Sequence, residues 1–547
     1  MPDIVFVSQA GGKETRVSVH AEAGISVLEA ARLGGLDIET PCGGAGNCGK
    51  CGVRVEASKE TVLACRTEVS DGDVYLVPDY EAGNKSLRIL SERLSFEYEK
   101  EPFITKKYED GKTYIYGGGR LLGSEAGDST AFLYGLAVDI GTTTMVAELI
   151  DIRDGGTLAT ESALNPQTKY AQDVIGRIHF AGEKAGLAAL YGDFVDVLNG
   201  MIGALVRKAG VESKYIYEAV YSGNTTMLHL ACNIDPSSLG PYPYTPQITG
   251  GFHTKDEAVN ISPFAPIYLP PIISAWVGAD ITSGILATDL ERKDGITLFV
   301  DIGTNGEMVL AKDGRLAATS TAAGPAFEGM NIACGMRAST GAIEAFSIGE
   351  DGALSFRLIG EDGAEPPEDG AAGICGSGLL DIAGELVRTG VINKRGRLAS
   401  PEGAEAEKLA ARVRPVDEKP AFFITDKVYI GQKDVRQIQL AKSAIRCGIE
   451  LLLARFGNSA GDVDRVIIAG SFGYHLNEKS LINIGLLPEQ FAGKVSFAGN
   501  TSLGGAAALL VSAPLRERIK ETAARVEKVE LAMDAGFESA FIGYMGF

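Results

Sequence analysis

Leu136-Ala-Val-Asp139-Ile-Gly141-Thr142-Thr143-Thr144-Met-Val-Ala147 is written a second time, with small changes, as Leu298-Phe-Val-Asp301-Ile-Gly303-Thr304-Asn305-Gly306-Glu307-Met-Val-Leu310. Each copy reads as an apolar strand, an Asp-x-Gly-Thr turn and a second apolar strand. A further pair follows in the same order: Ala219-Val-Tyr-Ser-Gly223-Asn224-Thr-Thr226, then Val466-Ile-Ile-Ala-Gly470-Ser471-Phe-Gly473. One such turn is weak, because hairpins often contain Asp and Gly. Two ordered copies predict a duplicated α/β fold, with a first lobe over 134–295 and a second over 296–547.

Upstream lies a different chemistry. Cys42, Cys48 and Cys51 stand at C-x5-C-x2-C spacing in Pro41-Cys-Gly-Gly-Ala-Gly-Asn-Cys-Gly-Lys-Cys51, and Cys65 follows the strand-like Thr61-Val-Leu-Ala. Three thiolates on one loop plus a remote fourth is the arrangement that wraps a [2Fe–2S] cluster. The small residues of the loop let backbone N–H groups turn toward cluster sulfurs. A structural zinc site would offer paired C-x2-C knuckles, and only one is present. Residues 3–8 and 15–20 predict a hairpin, Ser26 caps a short helix ended by Gly34-Gly35, and Val74-Tyr-Leu-Val-Pro78 supplies a last strand. The spacing resembles the ferredoxin family, nearer its adrenodoxin-type variant than the plant type. The resemblance implies an α+β (β-grasp) domain over 1–93. Residues 94–133, with Glu97-Tyr-Glu-Lys-Glu101 and Gly117-Gly-Gly119, read as a linker that lets the cluster domain move, with at most local helical or hairpin structure.

The chain has 547 residues, too many for one core, and 69 of them are Gly, which predicts many tight turns. A net charge of −20 argues against nucleic-acid binding and suits a protein partner with a basic patch. There is no run of 18 apolar residues and no signal-like N-terminus, so no membrane contact and a cytoplasmic location are expected. Of the eight cysteines, Cys232, Cys334, Cys375 and Cys447 are scattered and read as small buried hydrophobes. The five histidines show no ligand spacing and read as structural.

The repeated turns resemble the superfamily of acetate and sugar kinases, heat-shock chaperone ATPases and actin, in which two ribonuclease-H-like lobes close on ATP. The resemblance implies that Gly141, Thr142, Thr143, Gly303, Thr304, Asn305 and Glu307 cradle phosphates, while Asp139 and Asp301 orient Mg²⁺ or water in the catalytic step. It adds Gly470, Ser471 and Gly473 as an adenosine-binding turn. Gly376, Ser377 and Gly378, opening a helix in Gly373-Ile-Cys-Gly-Ser-Gly-Leu-Leu-Asp381, suit a phosphate or ribose contact, or simply a tight strand-to-helix turn. Residues 435–456 predict an amphipathic helix with Ile438, Leu440, Ala441, Ile445 and Ile449 inward.

Ferredoxin, linker and two lobes together resemble the reductive activators of corrinoid proteins. That implies one-electron reduction of a partner's Co(II) corrinoid to Co(I), driven by ATP with Mg²⁺ and fed by an upstream electron donor. The partner would be a methyltransferase corrinoid subunit or a corrinoid iron–sulfur protein, and a homodimer is among the assemblies open to the chain. Activators of 2-hydroxyacyl-CoA dehydratases share the ATPase fold but hold a [4Fe–4S] cluster between subunits. Cys375 is comparably placed, but the next cysteine, Cys447, lies within a predicted helix, so no bridging cluster is expected. A small-molecule kinase with a fused electron-transfer domain, and a redox-sensing chaperone-like protein, are the competing readings.

Overall fold

A computed structural model describes residues 2–10, 13–22, 24–36, 38, 51–77, 96–360, 370–398, 406–470 and 476–547. Cys42, Cys48, Ser471 and Gly473 therefore lie outside the described residues.

In the N-terminal domain the expected hairpin is Asp3–Ala10 with Lys13–His20. Val74–Val77 pairs parallel to the first strand, and Gly52–Val55 and Thr61–Leu63 complete a five-stranded sheet. The helix Val27–Leu33 starts where Ser26 and Glu29 cap each other's backbone N–H groups. It buries Val27, Ala30 and Ala31 against Ile4, Phe6 and Val53, the β-grasp arrangement.

The stretch expected as a linker is largely folded. Ile104–Glu109, Lys112–Gly117 and Arg120–Ala126 form a three-stranded antiparallel sheet. It is fastened to the first lobe by Ile104 and Ile115, which pack with Leu133, Ile152 and Tyr217. The buried Lys106 Nζ donates to the Ser129 carbonyl and hydroxyl at 2.7 Å each and to the Tyr217 hydroxyl at 2.8 Å. Burying an ammonium requires such partners, and they make this segment part of the lobe rather than a free tether.

The two lobes share one topology. The first sheet runs Gly156–Leu164, Thr144–Asp151, Tyr134–Ile140, Ile216–Gly223, Ile267–Leu269 and Phe252–Thr254. The second runs Val495–Gly499, Arg465–Ala469, Ile296–Ile302, Gly306–Lys312, Arg315–Thr321 and Glu527–Lys528. In both, three antiparallel strands carry the Asp-x-Gly-Thr turn between the first two, and parallel strands flank the first. The outer face of the first sheet is covered by Gly186–Ala209, whose Leu190, Phe194, Leu198, Ile202 and Leu205 are buried. That helix is long and apolar enough to cross a membrane by length and composition, but here it packs on the sheet. The second sheet is covered by Gln432–Arg455, close to the expected helix; Ile438, Ala441, Ile445 and Ile449 are buried and Leu440 is only half-buried.

The inner faces are covered by exchange. The helix Ala279–Ala287, from the first half of the chain, lays Ile281 and Ile285 on Phe299, Val309 and Ala318 of the second sheet. The helix Thr501–Val511, from the second half, is buried throughout and lies on Ala137, Val146 and Val220 of the first sheet. The two helices touch where Gly505 faces Ser283: a Cβ on Gly505 would stand 2.3 Å from the Ser283 carbonyl oxygen. Only glycine allows that approach. The boundary read between the lobes in the sequence thus divides the chain, but not the packing.

Candidate functional site

Both Asp-x-Gly-Thr turns open into the cleft between the lobes. Asp139 ends the first strand of its sheet, and its carboxylate accepts from Asn500 Nδ2 at 2.8 Å and Ser502 Oγ at 2.7 Å. Both donors belong to the exchanged Thr501–Val511 helix or its N-cap. Asp301 holds the matching position, paired in register with Glu307 across its hairpin. Gly470, at φ +106°, sits so close that a Cβ would meet Ile302 O at 2.5 Å and Asp301 Oδ1 at 2.8 Å. Gly141 is equally constrained, because a Cβ would meet the Thr144 carbonyl at 2.6 Å. Asn224 caps Thr225–Ala231 and also donates to Thr142 Oγ1 at 3.0 Å, joining the two glycine-containing turns of the first lobe into one surface.

A fourth acid was not read from the sequence. Asp280 lies in the first turn of the exchanged Ala279–Ala287 helix. Burial first, then Asp301 and Asp139, push its pKa up to about 8. Asp301 is raised to about 7 by burial and by Asp139. Burial, Asp280 and Asp301 also raise Glu307 well above the usual carboxylate range. Asp139 is raised by burial, with Ser502 and Asn500 acting the other way. Burial is the leading cause of all four upward shifts, and no lysine or arginine among the described residues contributes to them. Mutually repelling acids in a dry site call for a cation. Among the described residues no three such groups converge as a ready-made metal cage. That fits Mg²⁺, which takes one or two carboxylates and completes its shell with water and phosphate oxygens.

Two further groups became visible only in three dimensions. Thr143 Oγ1 of the first turn and Thr304 Oγ1 of the second both donate to the Glu328 carboxylate, one to each oxygen. Glu328 ends the short turn Pro325–Glu328. Arg177, fully buried, donates to the carbonyls of Ala171 and Thr142 and braces the first turn from behind. The sequence signal for Asp280 was a Gly-Ala-Asp helix start, and for Glu328 the glycines bracketing Pro325–Glu328.

Gly376, Ser377 and Gly378 open the helix Gly376–Arg388 as expected. Ser377 Oγ donates to the Glu344 carbonyl at 2.8 Å, and a Cβ on Gly378 would come within 2.0 Å of the Ile343 carbonyl. Their evident local role is a tight strand-to-helix junction. Beside Thr304 and Asn305 a cavity of about 1000 Å³ opens between the lobes, walled by Tyr244, Ile273, Trp276 and Met533.

In the N-terminal domain Cys51 and Cys65 place their sulfurs 3.2 Å apart without a disulfide. Two thiols converging at that range fit adjacent ligands of one iron. Of the scattered cysteines, Cys375 and Cys447 are buried as expected, whereas Cys232 and Cys334 are only half-buried. Burial lifts the Cys447 thiol to about 11, so it is a poor ligand.

Comparison with known proteins agrees with this architecture. The 2Fe-2S iron-sulfur cluster binding domain family matches residues 12–79. The RACo middle region matches 134–293, and the family described as the C-terminal domain of RACo, the ASKHA domain, matches 295–547. The corrinoid activation enzyme RamQ of Eubacterium limosum is 30% identical over 97% of each chain. The [Co(II) methylated amine-specific corrinoid protein] reductase of Methanosarcina barkeri is 25% identical over 73% of this chain and 74% of its own. A solved structure titled reductive activator for corrinoid, iron-sulfur protein is 31% identical, covers all of this chain and 98% of its own, and superposes with a TM-score of 0.74. A ferredoxin domain joined to a duplicated, ATPase-type pair of lobes, matched along its whole length, makes this chain a member of the family of corrinoid-protein reductive activators.

Proposed function

We propose that the protein uses ATP to drive one-electron reduction of a partner's Co(II) corrinoid to Co(I), with the N-terminal domain as electron donor. The observation that carries this reading is the facing of two phosphate-type turns across one acidic cleft, in a chain that also holds converging ferredoxin-type cysteines. The names of the relatives support the corrinoid partner. Bound at Cys42, Cys48, Cys51 and Cys65, a [2Fe–2S] cluster supplies a one-electron donor near roughly −400 mV. Co(I) is a stronger reductant, and every 100 mV uphill costs about 2.3 kcal/mol per electron.

The chain's own residues supply the nucleotide half. Thr142, Thr143, Thr304 and Asn305 with the backbone of Gly141 and Gly303 bind phosphates, and Gly470, Ser471 and Gly473 form the nucleoside side. Asp139, Asp301 and Glu307 would hold Mg²⁺ through carboxylate or water. Asp280, in the first turn of Ala279–Ala287 beside Asp301 and Asp139, would be the acid to accept a proton from water. Because each lobe lends the other a helix, closure on nucleotide is a natural two-state element. Typical couplings of about 1–3 kcal/mol are of the order of a 100 mV step. An upstream low-potential carrier must refill the donor, and the acidic chain suits one with a basic face.

The test incubates the anaerobically reduced protein with a Co(II) corrinoid protein, with and without ATP, and follows the Co(I) absorption band. Cys48→Ser should abolish Co(I) formation, and Asp301→Ala should remove only the ATP dependence. Equal Co(I) yield without ATP would sink the coupling.

A further inference from the structure

The Glu328 carboxyl group is already seated between the two turns. Its two oxygens accept one hydroxyl from each lobe, Thr143 from the first and Thr304 from the second. The two residues belong to different halves of the chain, and no other carboxylate among the described residues bonds both turns. The seat is built rather than incidental. Phe327, beside it, is fully buried. Gly329, at φ +77°, packs so closely that a Cβ would meet the Met336 carbonyl at 2.5 Å. The turn's backbone is therefore closely packed, and it is the Glu328 side chain that reaches both turns. Burial raises the Glu328 pKa above the ordinary carboxylate value, while the Thr143 and Thr304 hydroxyls, then Arg337 and Arg177, act the other way.

Resting on the nucleotide reading above, we infer that Glu328 sets the discrimination between nucleoside triphosphate and diphosphate in the cleft. A terminal phosphate that reaches from one turn to the other needs the two hydroxyls that Glu328 holds. It also brings negative charge against a buried carboxylate. A triphosphate must displace Glu328, whereas a diphosphate held on one lobe need not. The carboxylate thus keeps the nucleotide-free cleft joined and selects against the terminal phosphate until closure energy overcomes it. The acid groups of the Mg²⁺ site lie on the strands and on Ala279–Ala287, so this role is separate from theirs.

The experiment measures affinity of the full-length protein for MgADP and for a non-hydrolysable MgATP analogue by calorimetry. It compares the unchanged protein with Glu328→Gln, which keeps the shape and loses the charge, and with Glu328→Ala. Thermal unfolding identifies any variant that fails to fold, and Gln is chosen to survive where Ala does not. The expected result is a shift of the triphosphate-to-diphosphate affinity ratio by about tenfold toward triphosphate, the scale of removing one like charge from a partly dry site. A merely structural role would weaken both nucleotides alike and leave the ratio unchanged, which overturns the inference. A shift toward diphosphate also overturns it, because it makes Glu328 a ligand of the bound triphosphate complex. If the unchanged protein binds neither nucleotide, the site reading fails and takes this inference with it; binding of both with an unmoved ratio sinks the inference alone.

Discussion

Asn500 donates its side-chain amide to Asp139 at 2.8 Å, although the two are 361 residues apart in the chain. The same Asn500 accepts from the Leu503 backbone N–H at 2.9 Å and so caps the exchanged helix. One side chain therefore starts a helix of the second half and orients an acid of the first. Asn500→Ala should cost about 1–3 kcal/mol, a cap plus a buried charge-assisted hydrogen bond. Asn500→Asp keeps a capping oxygen but places a second carboxylate on Asp139. Urea unfolding should find it less stable than the unchanged protein in EDTA, with the gap narrowing in Mg²⁺ and nucleotide.

Asp280 should matter to turnover far more than to binding. Asp280→Asn removes the proton acceptor while keeping the helix start. ATP hydrolysis should fall by about a hundredfold or more, the usual range for losing a general base. Nucleotide affinity should change by only a few-fold. Phosphate release and calorimetry on one preparation check both, and full hydrolytic activity would remove Asp280 from the chemistry.

The crossing of the two exchanged helices depends on one missing methyl group. Gly505→Ala would force the helices apart against the Ser283 carbonyl. Overpacking of this kind costs about 1–3 kcal/mol, and more where backbone is struck. Gly192, within Gly186–Ala209, meets nothing within 4 Å, and Gly192→Ala should raise stability by about 0.5–1 kcal/mol through helix propensity. Thermal melts of the two variants should move in opposite directions.

His229 should make the fold acid-sensitive. Its Nε2 accepts from the Gln247 N–H at 3.0 Å, so the proton sits on Nδ1, 2.7 Å from the Thr225 carbonyl. Burial pulls its pKa below the ordinary 6.5, despite the Thr225 contact. As pH falls through the ordinary value the unfolded chain takes up a proton that the folded chain refuses, so stability drops. The pH dependence of unfolding between about pH 7 and 5 should be flatter in His229→Gln. An unchanged slope would place the acid sensitivity elsewhere.

What could be read from the chain alone was whatever is local. Ser26 with Glu29, the Asp-x-Gly-Thr turns and the helix over Gln432–Arg455 each carry their signal within a few residues. Asp280 and Glu328 carry only a faint one, a Gly-Ala-Asp helix start and a pair of bracketing glycines, and Asn500 gains its meaning from Asp139 in the other half of the fold. The sheet over residues 104–126 escaped notice for a different reason. It buries one face only, and part of what it buries is polar, namely Lys106 and Thr113. Burial of polar groups against a neighbouring lobe leaves no apolar pattern to find.

Since each half of the chain supplies the helix that shields the other half's sheet, neither lobe is a unit of manufacture. A gene split near residue 294 would yield two fragments, each with a bare apolar sheet face and an orphaned helix. Duplication here produced mutual dependence rather than a spare.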